Sequence, residues 1–544
     1  MVFRIFILLL FPLSGICQNT IGLPEVINYY KGTYNAGLQN WDFRQDKNGI
    51  IYIANNEGLL SFDGRHWNLY PLPNKTIVRS VEIGADNRIY VGGQDELGYF
   101  TPGKNGRLTY YSLTKLIPAS NASFGDVWDI IAFKKEIFFR SPNKIFRFSN
   151  ESVSVFNAPY EWGFLGVCNG KLYAQDFKEG LMNFENNNWV QLSQFSGYPV
   201  NDPVTAILPL NNDSAVITFL KNGIYLLSGE SVRKVNAENL KILEYERIYA
   251  ATSINNDWIA LATNSAGIYI IDLKGNIIQR FSRTEGLQNN NVLSIFLDAQ
   301  HNLWLGLDNG IDFIAYNSAI KHIIPQSQDG SGYTAIIHNS KLFTGTSNGL
   351  YSVPLQKMQD LSFNKGDFLP VKGTMGQAWN LAEINNQLLL GHHDGAFEIT
   401  ENNATSISSE PGFWNFVPIS ATSPASKIVA GNYKGLRTFD FINGRFSQSG
   451  IIPDFVESCR FVAIDKFDNT WVSHPYHGVY KILKNNTGKT AAVLYTDKKG
   501  LPSTLNNHVY KIKNDVLVAT EKGVYLYNQQ NDNFEPAPFY KKLL

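Results

Sequence analysis

A unit of about 42 residues recurs along this chain, and that repetition restricts the possible folds more than any other feature. Each copy reads as an apolar strand, a polar turn, a second apolar strand with a central aromatic, a small residue, a short polar loop, and a Gly followed by an apolar pair. Ile50-Ile51-Tyr52-Ile53-Ala54 to Gly58-Leu59-Leu60 shows it. So do Leu303-Trp304-Leu305-Gly306 to Gly310-Ile311, and Val516-Leu517-Val518-Ala519 to Gly523-Val524-Tyr525. The anchoring glycines are Gly58, Gly98, Gly180, Gly223, Gly267, Gly310, Gly349, Gly395, Gly435, Gly478 and Gly523. A degenerate copy, with Pro142-Asn143-Lys144 in place of the Gly turn, brings the number to twelve.

The spacing suits a four-stranded blade and is too long for the common helix-pair repeats. Runs such as Leu388-Leu389-Leu390 are short and punctuated by Gly, with no sustained helical periodicity. An aromatic content of 13% against 17% charged residues, with 44 glycines, also favours many short strands joined by tight turns. The expected fold is all-β: tandem β-propellers of about twelve four-stranded blades. The small residue (Ala54, Gly306, Gly345, Gly391, Ala519) is expected to let neighbouring blades approach closely. The anchoring Gly is expected to supply a positive φ, and the central aromatic (Tyr52, Tyr90, Trp304, Trp471) to fill the gap between radial sheets.

At the N-terminus, Arg4 precedes the apolar stretch Ile5 to Leu13 and then Ser14-Gly15-Ile16-Cys17-Gln18, the pattern of a secretory signal peptide over residues 1–17. Export to the periplasm follows. Bulky Ile16 argues against a lipoprotein anchor on Cys17. The remaining Cys168 and Cys459 lie far apart in apolar runs, which predicts buried free thiols and no disulfide scaffold. With 47 basic and 47 acidic residues interspersed, no basic footprint for nucleic acid is present.

The stretch from Asp298 through Trp304 to Gly310-Ile311, and the similar Asp465 to Gly478 with Trp471, resemble the two-component regulator propeller repeat of periplasmic sensors of Bacteroidetes. The resemblance implies two seven-bladed propellers followed by a Tyr-rich immunoglobulin-like domain, a transmembrane helix and a cytoplasmic output. The opening Gly22-Leu23-Pro24 to Tyr34-Asn35-Ala36-Gly37-Leu38-Gln39-Asn40-Trp41-Asp42 most resembles the triple-Tyr subgroup whose output is LuxR-like. Residues 18–325 are thus expected to form a complete seven-bladed propeller. Residues 326–544 are expected to hold about five blades of a second, truncated one. On this reading the chain is a non-catalytic ligand-sensing ectodomain, without cofactor. Membrane attachment and output lie beyond residue 544, and the full-length receptor is a homodimer.

In a propeller the start of the innermost strand and the loop between the second and third strands share a face. That juxtaposition predicts a ligand-binding face in the second propeller from Gln377, Trp379, His392, His393, Tyr433, Arg460, His474, Tyr476 and His477. Aromatic faces and an Arg suit an oligosaccharide, notably an anionic one. Trp41, Arg79 and Trp128 form a weaker parallel in the first propeller. The competing reading has the tryptophans plugging the channel and the histidines as solvated loop residues. His474-x-x-His477 lacks the spacing on a regular element that fixes metal ligands, so no metal is expected. Two alternatives remain: a secreted glycoside hydrolase or polysaccharide lyase, and an adhesion or protein-docking propeller. Against the enzyme, the acids Asp42, Asp126, Asp129 and Glu383 are scattered one per repeat without catalytic spacing.

Overall fold

The computed structural model describes residues 21–537 and 539, apart from 104–105, 193–197, 229–230, 326–329, 356–365, 420–422 and 485–489. The expected signal peptide, 1–17, lies outside the described residues. The chain forms twelve four-stranded antiparallel sheets, the all-β blade architecture anticipated from the repeats. Blade 1 is typical. Its innermost strand, Asn40–Gln45, pairs with Ile51–Asn55, which pairs with Gly58–Phe62 and then Trp67–Tyr70. The two middle strands are buried along their whole length, while the outermost is half-exposed. Neighbouring blades cover both faces of the middle strands, which is why these read as continuous apolar runs.

Two compact units divide the chain, one spanning Gly22–Ile323 and the other formed from Ile324 onward. The first contains seven blades, and its closure is offset. The last blade takes three strands, Val292–Leu297, Leu303–Leu307 and Gly310–Ile314, from its own repeat. Its outermost strand is Val26–Tyr29 from the start of the chain, with Val26 opposite Ile314 and Tyr29 opposite Ile311. The ring shuts where Val292–Leu297 packs on Asn40–Gln45, and the Ser294 hydroxyl donates to the Asn40 carbonyl at 3.2 Å. The second unit contains five blades, at residues 332–370, 378–408, 416–451, 461–495 and 508–536. In its last blade the strand Gly523–Asn528 is half-exposed throughout, unlike its buried counterpart Gly310–Ile314.

The repeat signature has a direct physical reading. One carboxylate oxygen of Asp298 accepts the backbone N–H groups of Gln300 and Asn302, capping the turn between the first two strands. The other accepts the indole N–H of Trp304 at 3.1 Å. Asp465 does the same for Phe467, Asn469 and Trp471. The Asp and Trp of the motif are therefore one buried unit, which lets a large aromatic fill the blade without an orphaned N–H.

Close approach explains the small residue. A Cβ on Gly306 would lie 2.3 Å from the Asn40 carbonyl oxygen of the adjoining blade. The anchoring glycine is more varied than expected. Gly435 has φ 89° and packs under the Phe455 carbonyl, but Gly98 is absent from the positive-φ residues; there the left-handed turn residue is Asp95, at φ 50°. Gly98 is required for space alone, because a Cβ would meet the Tyr111 carbonyl at 2.3 Å. Cys168 and Cys459 are buried free thiols, and burial pushes the Cys168 thiol up to about 11. Among the described residues no helix is long and apolar enough to cross a membrane.

Candidate functional site

The innermost strand of most blades carries an irregularity at its start. In blade 1, Asn40 pairs with Asn55 and Asp42 with Ala54, so Trp41 has no partner and bulges out of the ladder. The same shift isolates Arg79, Gly163, Thr205, Tyr249 and Leu293 in the first unit, and Tyr333 and Trp379 in the second. Trp128, just before its strand, occupies the equivalent place and donates its backbone N–H to the Arg140 carbonyl. Bulges turn a side chain out of the regular alternation, a recurrent way of building sites. Trp41, Arg79, Trp128, Gly163, Thr205, Tyr249 and Leu293 all line a single cavity of about 450 Å³ in the first unit.

Trp41, Arg79 and Trp128 do converge there. The Arg79 guanidinium carbon sits 4.1 Å from the Trp41 ring centroid and 4.6 Å from that of Trp128, and the two indoles meet edge-on at 6.0 Å. Its Nε donates to Asp126 at 3.0 Å, while Trp41 Nε1 donates to Asn56 at 2.7 Å. Sequence reasoning missed Arg140 and Tyr249 on the same wall. Arg140 binds Asp129 at 2.5 Å and the Trp162 carbonyl at 2.9 Å. Burial raises the Tyr249 phenol, with Arg79 opposing, Asp129 adding and Arg140 opposing. The signal for Tyr249 was its place at a strand start, which was not extended to that blade.

The scattered acids have definite partners. Asp42 Oδ2 accepts the Val81 N–H of the next blade at 3.1 Å, and its Oδ1 takes Arg44 at 2.8 Å. Asp129 repeats the device, accepting the Leu165 N–H of its neighbour at 3.0 Å. Thr334 holds the Leu381 N–H in the second unit through the same position. These side chains tie one blade to the next. Asp126 serves Arg79, and Glu383 pairs with His338 at 2.9 Å.

In the second unit the structure gathers part of the expected set. Trp379 stacks on Trp414 with centroids 4.0 Å apart. Tyr433 stands edge-on to both, and His393 packs against Trp379 with its Nδ1 3.2 Å from the Tyr433 hydroxyl. The Arg460 guanidinium lies 4.8 Å from the Trp414 ring centroid, and among the described residues it has no ion-pair partner. Gln377 is exposed beside this group and accepts the His393 N–H through its carbonyl. Trp414 was missed by sequence reasoning. Phe416 pairs with Ala430 as Phe43 pairs with Ile53, which puts Trp414 at the Trp41 position. The strand it precedes, Phe416–Pro418, has only three residues and little alternation to betray it.

His392 and His474 have another job. They end the second strands of their blades, where Asn55 and Asn432 stand elsewhere, and they cap the following turn. His392 Nδ1 accepts the Asp394 N–H at 3.0 Å, and His474 Nδ1 accepts those of Tyr476 and His477 at 3.1 Å each. Both rings are buried, at 1% and 7% exposure, and burial lowers both pKa values. Neither offers Nδ1 to a ligand, so these two expected face residues are turn caps. His477 stacks on His474 at 3.9 Å, and Tyr476 is exposed on the same turn.

Glu457, His474 and His477 could together offer three metal ligands. The hydrogen bonds oppose it. With Nδ1 of His474 occupied as an acceptor, its neutral ring must carry the proton on Nε2, which points at Glu457 at 3.4 Å. A metal would need that nitrogen bare, so the residues do not fit an ion.

Residues 286–309 match the family described as two component regulator propeller. The match spans the Asp298–Trp304 turn. Among solved structures, the chain is similar to the extracellular domain of the hybrid two component system BT3049 from B. thetaiotaomicron. The TM-score is 0.63 at 16% identity, covering 94% of this chain and 78% of that one. At this identity the likeness establishes the tandem-propeller fold. The extracellular domain of the one component system BT4673 from the same organism gives a TM-score of 0.44 at 16% identity, with the same coverage. A virginiamycin B lyase from Staphylococcus aureus gives 0.41 at 14% identity, covering 53% of this chain and 97% of that one. No curated protein matches the sequence.

Proposed function

We propose that this chain is the exported ligand-sensing region of a bacterial signalling receptor, and that its second unit binds an anionic oligosaccharide. The observation that carries the ligand is Arg460, an exposed guanidinium without an ion-pair partner among the described residues, held over the Trp414 ring of the Trp379–Trp414–Tyr433 cluster. Stacked indoles take the apolar face of a sugar ring, and a free Arg fork grips a carboxylate or sulfate. The family match at residues 286–309 and the likeness to a two-component extracellular domain support the sensor role. Asp42 and Asp129 hold neighbouring blades together, which counts against an acid-pair hydrolase. A propeller has little internal freedom, so a signal would leave it as rigid-body movement or altered association of receptor subunits, a homodimer being the simplest case.

Calorimetric titration with pectic and glycosaminoglycan oligosaccharides tests this reading. Binding should weaken at least about tenfold in Arg460→Ala, the loss of one charge-assisted contact. Equal affinity in a folded Arg460→Ala protein would move the site, and no binding by any of these glycans would remove the ligand class.

A further inference from the structure

We infer that the cavity of the first propeller is a separate binding site for a small neutral sugar. Its volume, about 450 Å³, falls within the range of small-molecule sites. It exists because the ring of bulged residues is uneven. Trp41, Arg79 and Trp128 build a thick wall on three consecutive blades, whereas the bulge positions of the next two blades hold only the small Gly163 and Thr205. Seven side chains the size of Trp128 would fill the axis; here one side stays open.

The chemistry of the wall selects the ligand. Arg79 is fixed on its faces by two indoles and at Nε by Asp126, so its orientation is set before anything binds. Neither of its terminal nitrogens has a hydrogen-bond partner among the described residues, and these edge donors are what remains for a ligand. Tyr249 adds a hydroxyl within electrostatic reach of Arg79, Asp129 and Arg140. Fixed donors, carboxylate acceptors and indoles together are the groups that satisfy a sugar's hydroxyls and its apolar ring face.

Charge excludes the anionic alternative. The arginines on the wall, Arg44, Arg79 and Arg140, are paired respectively with Asp42 and Glu82, with Asp126, and with Asp129. Glu161 adds a further carboxylate to the lining. Each of these arginines thus already has its counter-charge, so a ligand bringing its own carboxylate would meet no unpaired cation and would face Glu161 as well. Arg460 in the second unit differs in forming no ion pair among the described residues. The inference rests on the cavity alone and does not depend on the sensor reading.

The test is titration of the whole chain with glucose, galactose, mannose and maltose at up to about 10 mM, followed by tryptophan fluorescence, with glucuronate as the charged control. At least one neutral sugar should bind and alter the emission of Trp41 and Trp128, and glucuronate should bind more weakly. Arg79→Lys, which keeps the charge but loses the fork, should weaken binding about tenfold, and Tyr249→Phe about threefold. Tighter binding of glucuronate, unchanged affinity in both variants, or no response to any neutral sugar overturns the inference. An anionic glycan that still binds through Arg460 would then leave the proposed function standing.

Discussion

The indole of Trp379 lies flat on that of Trp414, with ring planes only 7° from parallel. Each ring starts the innermost strand of its own blade, and the two blades are neighbours. Trp414 is also the ring beneath Arg460. Trp414→Ala therefore removes the support of both partners at once. Glycan affinity should fall by more than about tenfold. Urea denaturation should show a loss of about 2 kcal/mol, below the range for a fully buried aromatic because Trp414 is half-buried. A folded variant with undiminished affinity would argue that the stack is packing only.

His474 should be replaceable by Asn, which does the same turn-capping work as Asn55 and Asn432. Burial, His477 and Arg460 lower the His474 pKa against the weaker pull of Glu457. For a base with a depressed folded pKa, the stabilisation is complete above the unfolded value near 6.5 and is lost as pH falls through the folded value. Melting curves should thus decline below about pH 6.5 in the natural protein and less steeply in His474→Asn. His474→Ala, leaving two N–H groups uncapped, should be destabilised at every pH. Zinc should not raise the melting temperature of the natural protein, since Nε2 of His474 carries a proton; a zinc-dependent rise lost in His474→Asn would reverse that assignment.

Acid should weaken the last two blades through two carboxylates. Burial pushes Asp465 up, but hydrogen bonds from Trp471, Asn469 and Phe467 more than offset it and leave its pKa lowered. Asp532 is held down to about 2: desolvation raises it, and Lys499, Tyr495 and Tyr527 prevail. A depressed carboxylate stabilises fully above its unfolded pKa and ceases to as pH falls through the folded one, here from about 4 towards 2. Hydrogen-exchange protection factors at Thr470–His474, corrected for the intrinsic pH dependence of exchange, should fall across that window. Asp465→Asn should flatten the dependence; an unchanged profile in that variant would discount its share.

Asp298→Ala is expected to cost about 2–4 kcal/mol, because two turn N–H groups and the Trp304 indole lose their acceptor together. Pairing it with Trp304→Phe in a double-mutant cycle should give strongly non-additive losses. Additive losses would mean the Asp and the Trp act separately.

Much of the architecture was legible because it depends on local chemistry repeated many times. A Gly before an apolar pair and a small residue beside an aromatic each answer a steric demand that every blade makes, as at Gly306. The site was less legible, for particular reasons. Trp414 hid behind a three-residue strand. His392 and His474 looked like ligands because the residue type suggests chemistry; their alignment with Asn55 and Asn432 carried the better signal. The partners of Asp42 and Asp129 lie on the following blade, tens of residues away, and no spacing within one repeat reveals them. Arg79 and Arg460 are both arginines at strand starts. What separates them is that Arg79 is ion-paired to Asp126 whereas Arg460 forms no ion pair among the described residues.

The strand Val26–Tyr29 leaves the ribosome early, yet its ladder partner is Gly310–Ile314. For almost three hundred residues of synthesis it has nowhere to pair, and a four-residue strand with one edge unsatisfied is open to the wrong neighbour. The first unit should therefore mature as a single late event, after its seventh repeat has been made. Until then the six earlier blades wait as an unlatched row. A protease or chaperone would meet that row before any ligand does.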